Sequence, residues 1–486
     1  MKRIALPLLF SLCSLSAIAQ VKLNVQLAAS LKGPYTGRLF VYTLKDTAAR
    51  FTDRTMAEEP AFYLPVSNWK TGEVIRFEKG SHASHKALET LDPGVYKIVA
   101  ILDSNTKERG NSAPGNLYSR QEGLLHIAEK GRGEGAVTLS NAFPERTFRE
   151  TDQAKEVKMR SALLSDFRKE DIFIKAAVIL PESYAKDASR QYPVVLIIPG
   201  WGGTHYHGAI PGNQRVFGMG QGKDKIYVYL NPETQTPWGL HAFVDSRVNG
   251  PWGKALVTEL LPYLQQRFRI KNDPKQTFIT GQSSGGYGAV WLALHYPASF
   301  AGCWATAPDP LDFSSFTGVN LYSAKNYYHD EAGKERGFLR MNGIFQQSQR
   351  DARMAELFAG DGGQQQSFEA EFGVPGKDGR PKELFDPQTG SIHKSVVQEW
   401  KPYDLALYVQ NNWQKIKKAG VGKITVYAGT EDNFLLNESV AAFGRKAEAA
   451  GADIRVVLVP GADHFNLRNE AWARDLQAEI DALIGN

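Results

Sequence analysis

QTFITGQSSGGYGAVWLALHYP, residues 276–297, decides the fold. QTFIT reads as a buried strand, GYGAVWLALHYP as an apolar helix, and the glycine-rich GQSSG between them as the turn that joins the two. This is the setting of a nucleophile elbow, G-x-S-x-G, in which a strained turn exposes one serine and small residues two places either side keep the backbones from clashing. Gly281 and Gly285 flank Ser283 at that spacing. Centring the motif on Ser284 would put Gln282 at the first small position, where its side chain would collide with the turn. Ser283 is therefore the expected nucleophile. Ser284 is expected to supply its backbone N–H to an oxyanion hole at the helix start.

A serine hydroxyl is inert at neutral pH, so it needs a base, and the base needs an acid to orient it. In strand-elbow-helix proteins of this type the chain order is serine, acid, histidine. The last expected strand, RVVLV, runs into Gly461-Ala462-Asp463-His464-Phe465, which puts His464 at a strand's carboxyl end. Asp463 reads as a turn former. The preceding strand, KITVYA, ends in Gly429-Thr430-Glu431-Asp432, two adjacent carboxylates of which only one can turn inward; Asp432 is the expected acid and Glu431 the alternative. A second oxyanion donor should follow VVLII (194–198), where Pro199-Gly200-Trp201-Gly202-Gly203 offers the N–H of Trp201, with Gly202 as the alternative. His205-Tyr206-His207 forms an H-x-H, and His241 could be imagined as a third ligand, but no carboxylate-rich partner set accompanies them. No metal and no cofactor are expected.

Around this core the chain has two rhythms. From Val21 to about Thr147, short alternating runs (VKLNVQL, GRLFVYTL, VIRFE, GVYKIVAIL, GAVTL) are broken by Lys32-Gly33-Pro34 and Asp92-Pro93-Gly94, the pattern of an Ig-like β-sandwich over 20–150. The charged stretch from Arg146 to Lys169 reads as a linker or connecting helix, so 151–170 is expected to join two domains. Beyond it strands and helices alternate through 171–486, which predicts an α/β domain with a mostly parallel sheet. Strands are expected at 173–180, 194–198, 225–230, 276–280, 302–306, 423–428 and 455–459. Helices are expected at 252–268, 286–295, 403–416, 437–450 and 470–483. The alternation breaks between about 311 and 401, an insertion long enough to predict a cap over the site.

The 486 residues are 42% hydrophobic, enough for more than one core. Met1-Lys2-Arg3, an apolar run from Ile4 to Leu15 and Ala17-Ile18-Ala19 read as a signal peptide over 1–19, cut before Gln20, and predict a periplasmic or extracellular protein. Leu12 is too bulky for a lipid-attachment signal at Cys13, and after cleavage Cys303 alone remains, which excludes an intrachain disulfide. Net charge falls from +5 to +3 on removal of Lys2 and Arg3, leaving 55 basic against 52 acidic residues, too weak a bias for a nucleic-acid partner. No later apolar run is long enough to span a membrane.

The stretches DSRVNGPWGKALVTELLPYLQQRF, FITGQSSGGYGAVWLALHYPASFAG, YAGTEDNFLLNESV and VPGADHFNL resemble the esterase-D-like branch of the α/β-hydrolases, which includes feruloyl and acetylxylan esterases, enterochelin esterases, S-formylglutathione hydrolases and mycolyltransferases. The resemblance covers about 170–486. It implies Ser283, Asp432 and His464 as catalytic residues, Trp201 and Ser284 as oxyanion donors, and a serine ester hydrolase working through an acyl-enzyme. The family commonly has His-Gly where this chain has Pro199-Gly200. Trp201, Trp238, Trp252 and Phe434 fall on or near the expected site loops and are candidates to stack on a sugar or an aromatic acyl group. Export points to esters of polysaccharides, feruloyl or acetyl, ahead of a siderophore lactone; transfer of the acyl group to a sugar is the enzymatic rival. A non-catalytic carbohydrate or protein binder on the same fold is the remaining alternative.

Overall fold

The computed structural model describes residues 20–52 and 59–485; the expected signal peptide lies outside them. The chain divides into two units, the first comprising residues up to Asn105 together with Asn111–Glu145, the second comprising Thr106–Gly110 and everything from Arg146 onward. The first domain thus ends at Glu145 instead of near 150, and the short segment Thr106–Gly110 belongs with the second.

In the first unit ten strands are hydrogen-bonded into one continuous sheet, where the sequence pattern suggested a sandwich of separate sheets. The reason is the pairing of the long strand Gly94–Asp103, which bonds Tyr35–Leu44 on one side and Gly123–Ile127 on the other, so the ladder is never interrupted. Alternate residues still point one way. Val21, Leu23, Val25, Leu27, Leu39, Val41, Ile98, Leu125 and Val137 converge on a single core.

The second unit is built on an eight-stranded sheet. Its strands are β1 (Ala154–Arg160), β2 (Phe173–Ile179), β3 (Val194–Ile198), β4 (Ile226–Leu230), β5 (Thr277–Gln282), β6 (Gly302–Thr306), β7 (Lys423–Gly429) and β8 (Ile454–Val459), in the spatial order β1-β2-β4-β3-β5-β6-β7-β8. β1 and β2 run antiparallel to their neighbours, and all the other pairings are parallel. The main helices are α1 (252–267, with a π turn at Leu256–Leu260), α2 (Ser284–His295), α3 (Gln364–Phe372), α4 (Leu405–Lys418), α5 (Leu436–Ala449) and α6 (Glu470–Ile484). Because β3 is covered on both faces, it is apolar at every position: Val194, Leu196 and Ile198 enter one core, Val195 and Ile197 the other.

The expected linker at 151–170 is corrected by this arrangement. Its first half is edge strand β1, with Ala154, Val157 and Met159 buried and Lys158 and Arg160 exposed, and its second half is a short helix capped by Ser161. The charges that suggested a solvated linker decorate the outer face of an edge strand. The insertion between β6 and β7 is folded, with a hairpin (Gly337–Met341 against Ile344–Ser348), three helices that include α3, and a ring cluster of Phe313, Phe316, Phe372 and Trp400. No helix among the described residues is long and apolar enough to cross a membrane.

Candidate active site

The elbow follows from two glycine contacts. A Cβ on Gly281 would stand 2.1 Å from the Gly285 carbonyl oxygen, and one on Gly285 would stand 2.0 Å from that of Ile198. Backbone cannot yield to such contacts as a flexible side chain can, so the turn from β5 into α2 closes only with glycine at both places. Ser283 between them has φ 55° and ψ −126°, a region costly for a residue with a Cβ. Its N–H donates to Thr306 O at 3.0 Å and its carbonyl accepts from Asp309 N at 3.1 Å, so the strained turn is held by the segment that follows β6.

His464 and Asp432 meet at the carboxyl ends of β8 and β7. Nδ1 of His464 donates to Asp432 Oδ2 at 3.0 Å, and both side chains are buried. The other carboxylate oxygen, Oδ1, accepts from the N–H groups of Phe434 at 2.9 Å and Leu436 at 3.2 Å, the turn that leads into α5. The histidine backbone is fastened twice as well. Gln282, the residue before the elbow serine, donates its side-chain amide to His464 O at 2.9 Å, and Asn433 Oδ1 accepts from His464 N at 3.1 Å. Glu431 is exposed, and its carboxylate lies 4.0 Å from the Arg340 guanidinium. Asp463 accepts from the N–H groups of Phe465 and Asn466, the bonds of a turn former.

The loop after β3 lies against the serine. A Cβ on Gly200 would be 3.0 Å from Ser283 Cβ and 3.7 Å from its Oγ. Gly203 N donates to Gly200 O at 2.9 Å and Gly202 has φ 89°, a tight turn with Trp201 and Gly202 at its centre. Among the described residues, no backbone–backbone hydrogen bond outside the regular elements uses the N–H of Trp201 or of Ser284. Trp201 itself is 46% exposed; its indole N–H donates to Gly362 O, and the Arg109 guanidinium lies 4.5 Å from its ring centre.

Of the proposed stacking residues, Phe434 is beside the histidine, its ring edge-on to His464 at 5.0 Å, with Phe338 and Phe465 packed around it. Trp238 is half-buried under the Arg380 guanidinium. Trp252 cannot touch a substrate: it is 2% exposed, stacked on His241 at 3.5 Å, its N–H bonded to Asn249 O. It starts α1, and its indole fills the core under that helix. His205 bonds Glu156 and His207 accepts from Thr204 N–H, so the two histidines of the H-x-H serve different local partners.

Two residues of the site gave no signal in the sequence. Asp309, on the segment after β6, is buried; its Oδ1 accepts from Ser283 Oγ at 3.3 Å. Gln364, the first residue of α3, reaches Asp309 Oδ2 at 3.4 Å and Ser284 Oγ at 3.3 Å through the same amide nitrogen. Burial pushes the Asp309 carboxyl up to about 6, opposed by the hydroxyl of Ser284 and the neighbouring His464.

A family model described as "Putative esterase" matches residues 172–480, well over half of the chain. The chain belongs to this esterase family. This esterase is an enzyme that hydrolyses esters. Among solved structures it is similar to a ferulic acid esterase (18% identity, 68% of this chain and 97% of that chain, TM-score 0.40). It is also similar to an S-formylglutathione hydrolase from Agrobacterium tumefaciens (16%, 70% and 95%, TM-score 0.38) and to Mycobacterium tuberculosis MPT51 (14%, 69% and 99%, TM-score 0.40). Likeness at that level says nothing of what this esterase acts on. No curated protein matches the chain.

Proposed function

We propose that this esterase is an exported hydrolase of carboxylic esters carried on polysaccharides, feruloyl or acetyl, working through Ser283, His464 and Asp432. The observation that carries the reading is the strained serine at Gly281–Gly285 beside a histidine whose Nδ1 is committed to a buried carboxylate at 3.0 Å. With Nδ1–H donating to Asp432, Nε2 is left as an acceptor. It takes the Ser283 proton as Oγ attacks the ester carbonyl, and the oxyanion is received by the N–H groups of Trp201 and Ser284, with Gly202 adjacent. The imidazolium then protonates the departing alcohol. Water, deprotonated by the same Nε2, attacks the acyl-enzyme and releases the acid. No step calls for a metal or an organic cofactor.

The polysaccharide reading rests on the leader sequence and on exposed rings: Trp201 over the oxyanion turn and Phe465, 63% exposed, next to His464. Flat aromatic faces exposed at a site mouth suit the C–H faces of sugar rings. In this reading the insertion at 311–401 acts as a cap, since it supplies Gln364 and, through Arg340, the contact to Asp432 O. The test is turnover of feruloylated and acetylated oligosaccharides, a siderophore trilactone and p-nitrophenyl acetate, with and without an added sugar acceptor. The reading expects free acid from the oligosaccharides at the highest kcat/KM; preference for the trilactone, or an acyl-sugar product, overturns the substrate assignment.

A further inference from the structure

A serine hydroxyl has one proton and can donate it to one acceptor at a time. In this structure Ser283 Oγ gives it to Asp309 Oδ1, and among the described residues no hydrogen bond joins Ser283 Oγ to His464. The carboxylate is no accidental neighbour. Asp309 N–H donates to Ser283 O, so main chain and side chain of the same residue both grip the nucleophile. Ala307, two residues before it, takes φ 39°, a turn that brings Asp309 back over the elbow. The far oxygen of Asp309 is held by Gln364, whose helix α3 belongs to the insertion, and that amide also reaches the hydroxyl of Ser284.

We infer that Asp309 is a positioning residue that holds Ser283 in a resting orientation away from His464, and that Gln364 ties this hold to the insertion. Turnover requires the hydroxyl to leave Asp309 for Nε2 of His464, so the strength of the Asp309 acceptor sets how much of the enzyme has its nucleophile ready. As a carboxylate Asp309 accepts the serine proton. Once protonated it becomes a donor to Oγ, which frees the serine proton for His464. The groups that bear on its ionisation are Ser283 and Ser284 on the elbow, Gln364 and Glu371 on α3, and His464 and Asp432 at the strand ends. Glu371 is itself buried with Oε1 unpartnered, and its carboxyl is pushed well up by burial and by Asp309. Burial moves the Asp309 change up to about 6, into the working pH range, and the Asp309 charge in turn adds to the burial that keeps the Glu371 carboxyl from ionising.

The inference rests on Ser283 being the nucleophile, and the experiment separates the two. A small alkyl fluorophosphonate reports the nucleophile alone: the Oγ–P bond forms, the P–F bond breaks, fluoride leaves, and the Oγ proton passes to His464. Ser283→Ala, Asp309→Asn and Gln364→Ala are compared with wild type for inactivation rate and for kcat/KM on p-nitrophenyl acetate between pH 5 and 9. Asp309→Asn keeps the volume and removes the charge. At pH 8 it is expected to raise both rates about three- to tenfold and to abolish the inflection near pH 6. Gln364→Ala removes a donor to the carboxylate, so the inflection should move to higher pH; it serves if Asp309→Asn fails to fold. Rates for Asp309→Asn that are unchanged or lower, or an inflection that stays in place in Gln364→Ala, overturn the hold. Labelling that persists in Ser283→Ala overturns the nucleophile assignment itself.

Discussion

Replacing Asp432 by Asn tests how the histidine is oriented, and the structure determines which way the amide must turn. Oδ1 of Asp432 accepts from two N–H groups, Phe434 at 2.9 Å and Leu436 at 3.2 Å, so in Asp432→Asn the carbonyl oxygen must take that place. The NH2 group then faces His464 Nδ1, which in wild type donates to Oδ2 at 3.0 Å. Two donors cannot meet, so the ring shifts its proton to Nε2, where it can no longer accept from Ser283. A histidine locked in the wrong tautomer costs about 10⁴-fold in kcat in the serine proteases where this has been worked out. That corresponds to about 5.4 kcal/mol on the barrier. The two backbone bonds survive, so thermal stability should change by about 1 kcal/mol or less. The assay is kcat on p-nitrophenyl acetate beside a thermal melt, with Glu431→Gln as the companion variant. Glu431 is exposed and 4.0 Å from Arg340, so its loss should alter kcat less than about twofold. The reasoning is refuted if Asp432→Asn retains more than about a tenth of wild-type kcat while Glu431→Gln loses about a hundredfold.

Other outcomes follow from the same contacts. Gly285→Ala should yield no folded, active enzyme, because its Cβ would meet the Ile198 carbonyl at 2.0 Å; soluble expression and circular dichroism read this directly, and a native-like active variant contradicts it. Trp252→Ala should lower stability by about 3–5 kcal/mol in urea titration and leave KM unchanged, since Trp252 fills core and not site. Burial raises Asp309 to about 6 from an ordinary 3.8, so its protonation favours the folded state. That contribution is complete below about pH 4 and lost as pH rises through 6, about 3 kcal/mol in all. Asp309→Asn should flatten the stability slope over that window, as read by denaturant melts from pH 4 to 8. Cys303 is buried in β6 with its thiol pushed up by desolvation, so peptide mapping should find it labelled by maleimide only after unfolding.

What the sequence made legible depended on how local the constraint was. The elbow is a five-residue steric problem, and the glycines at 281 and 285 select Ser283 without reference to the rest of the chain. Asp432 and His464 were legible because strand ends in an alternating sheet are readable from periodicity, although only the fold shows that Glu431 turns outward. Asp309 and Gln364 were not legible: they lie 26 and 81 residues beyond Ser283, and only the return of α3 from the insertion brings Gln364 within 3.4 Å of Asp309. Trp252 misled because an aromatic near a site loop and one beneath it look the same until burial is known. β1 misled in the opposite sense, since the charges of an edge strand hide the alternation of Val157 and Met159.

The central claim is that Ser283, and not Ser284, forms the covalent acyl-enzyme. Intact and peptide mass spectrometry after brief exposure to a fluorophosphonate tests it most directly. The account predicts one adduct per chain, on Ser283 within the peptide spanning 276–297, and none in Ser283→Ala. An adduct on Ser284, or one that persists in Ser283→Ala, would contradict it.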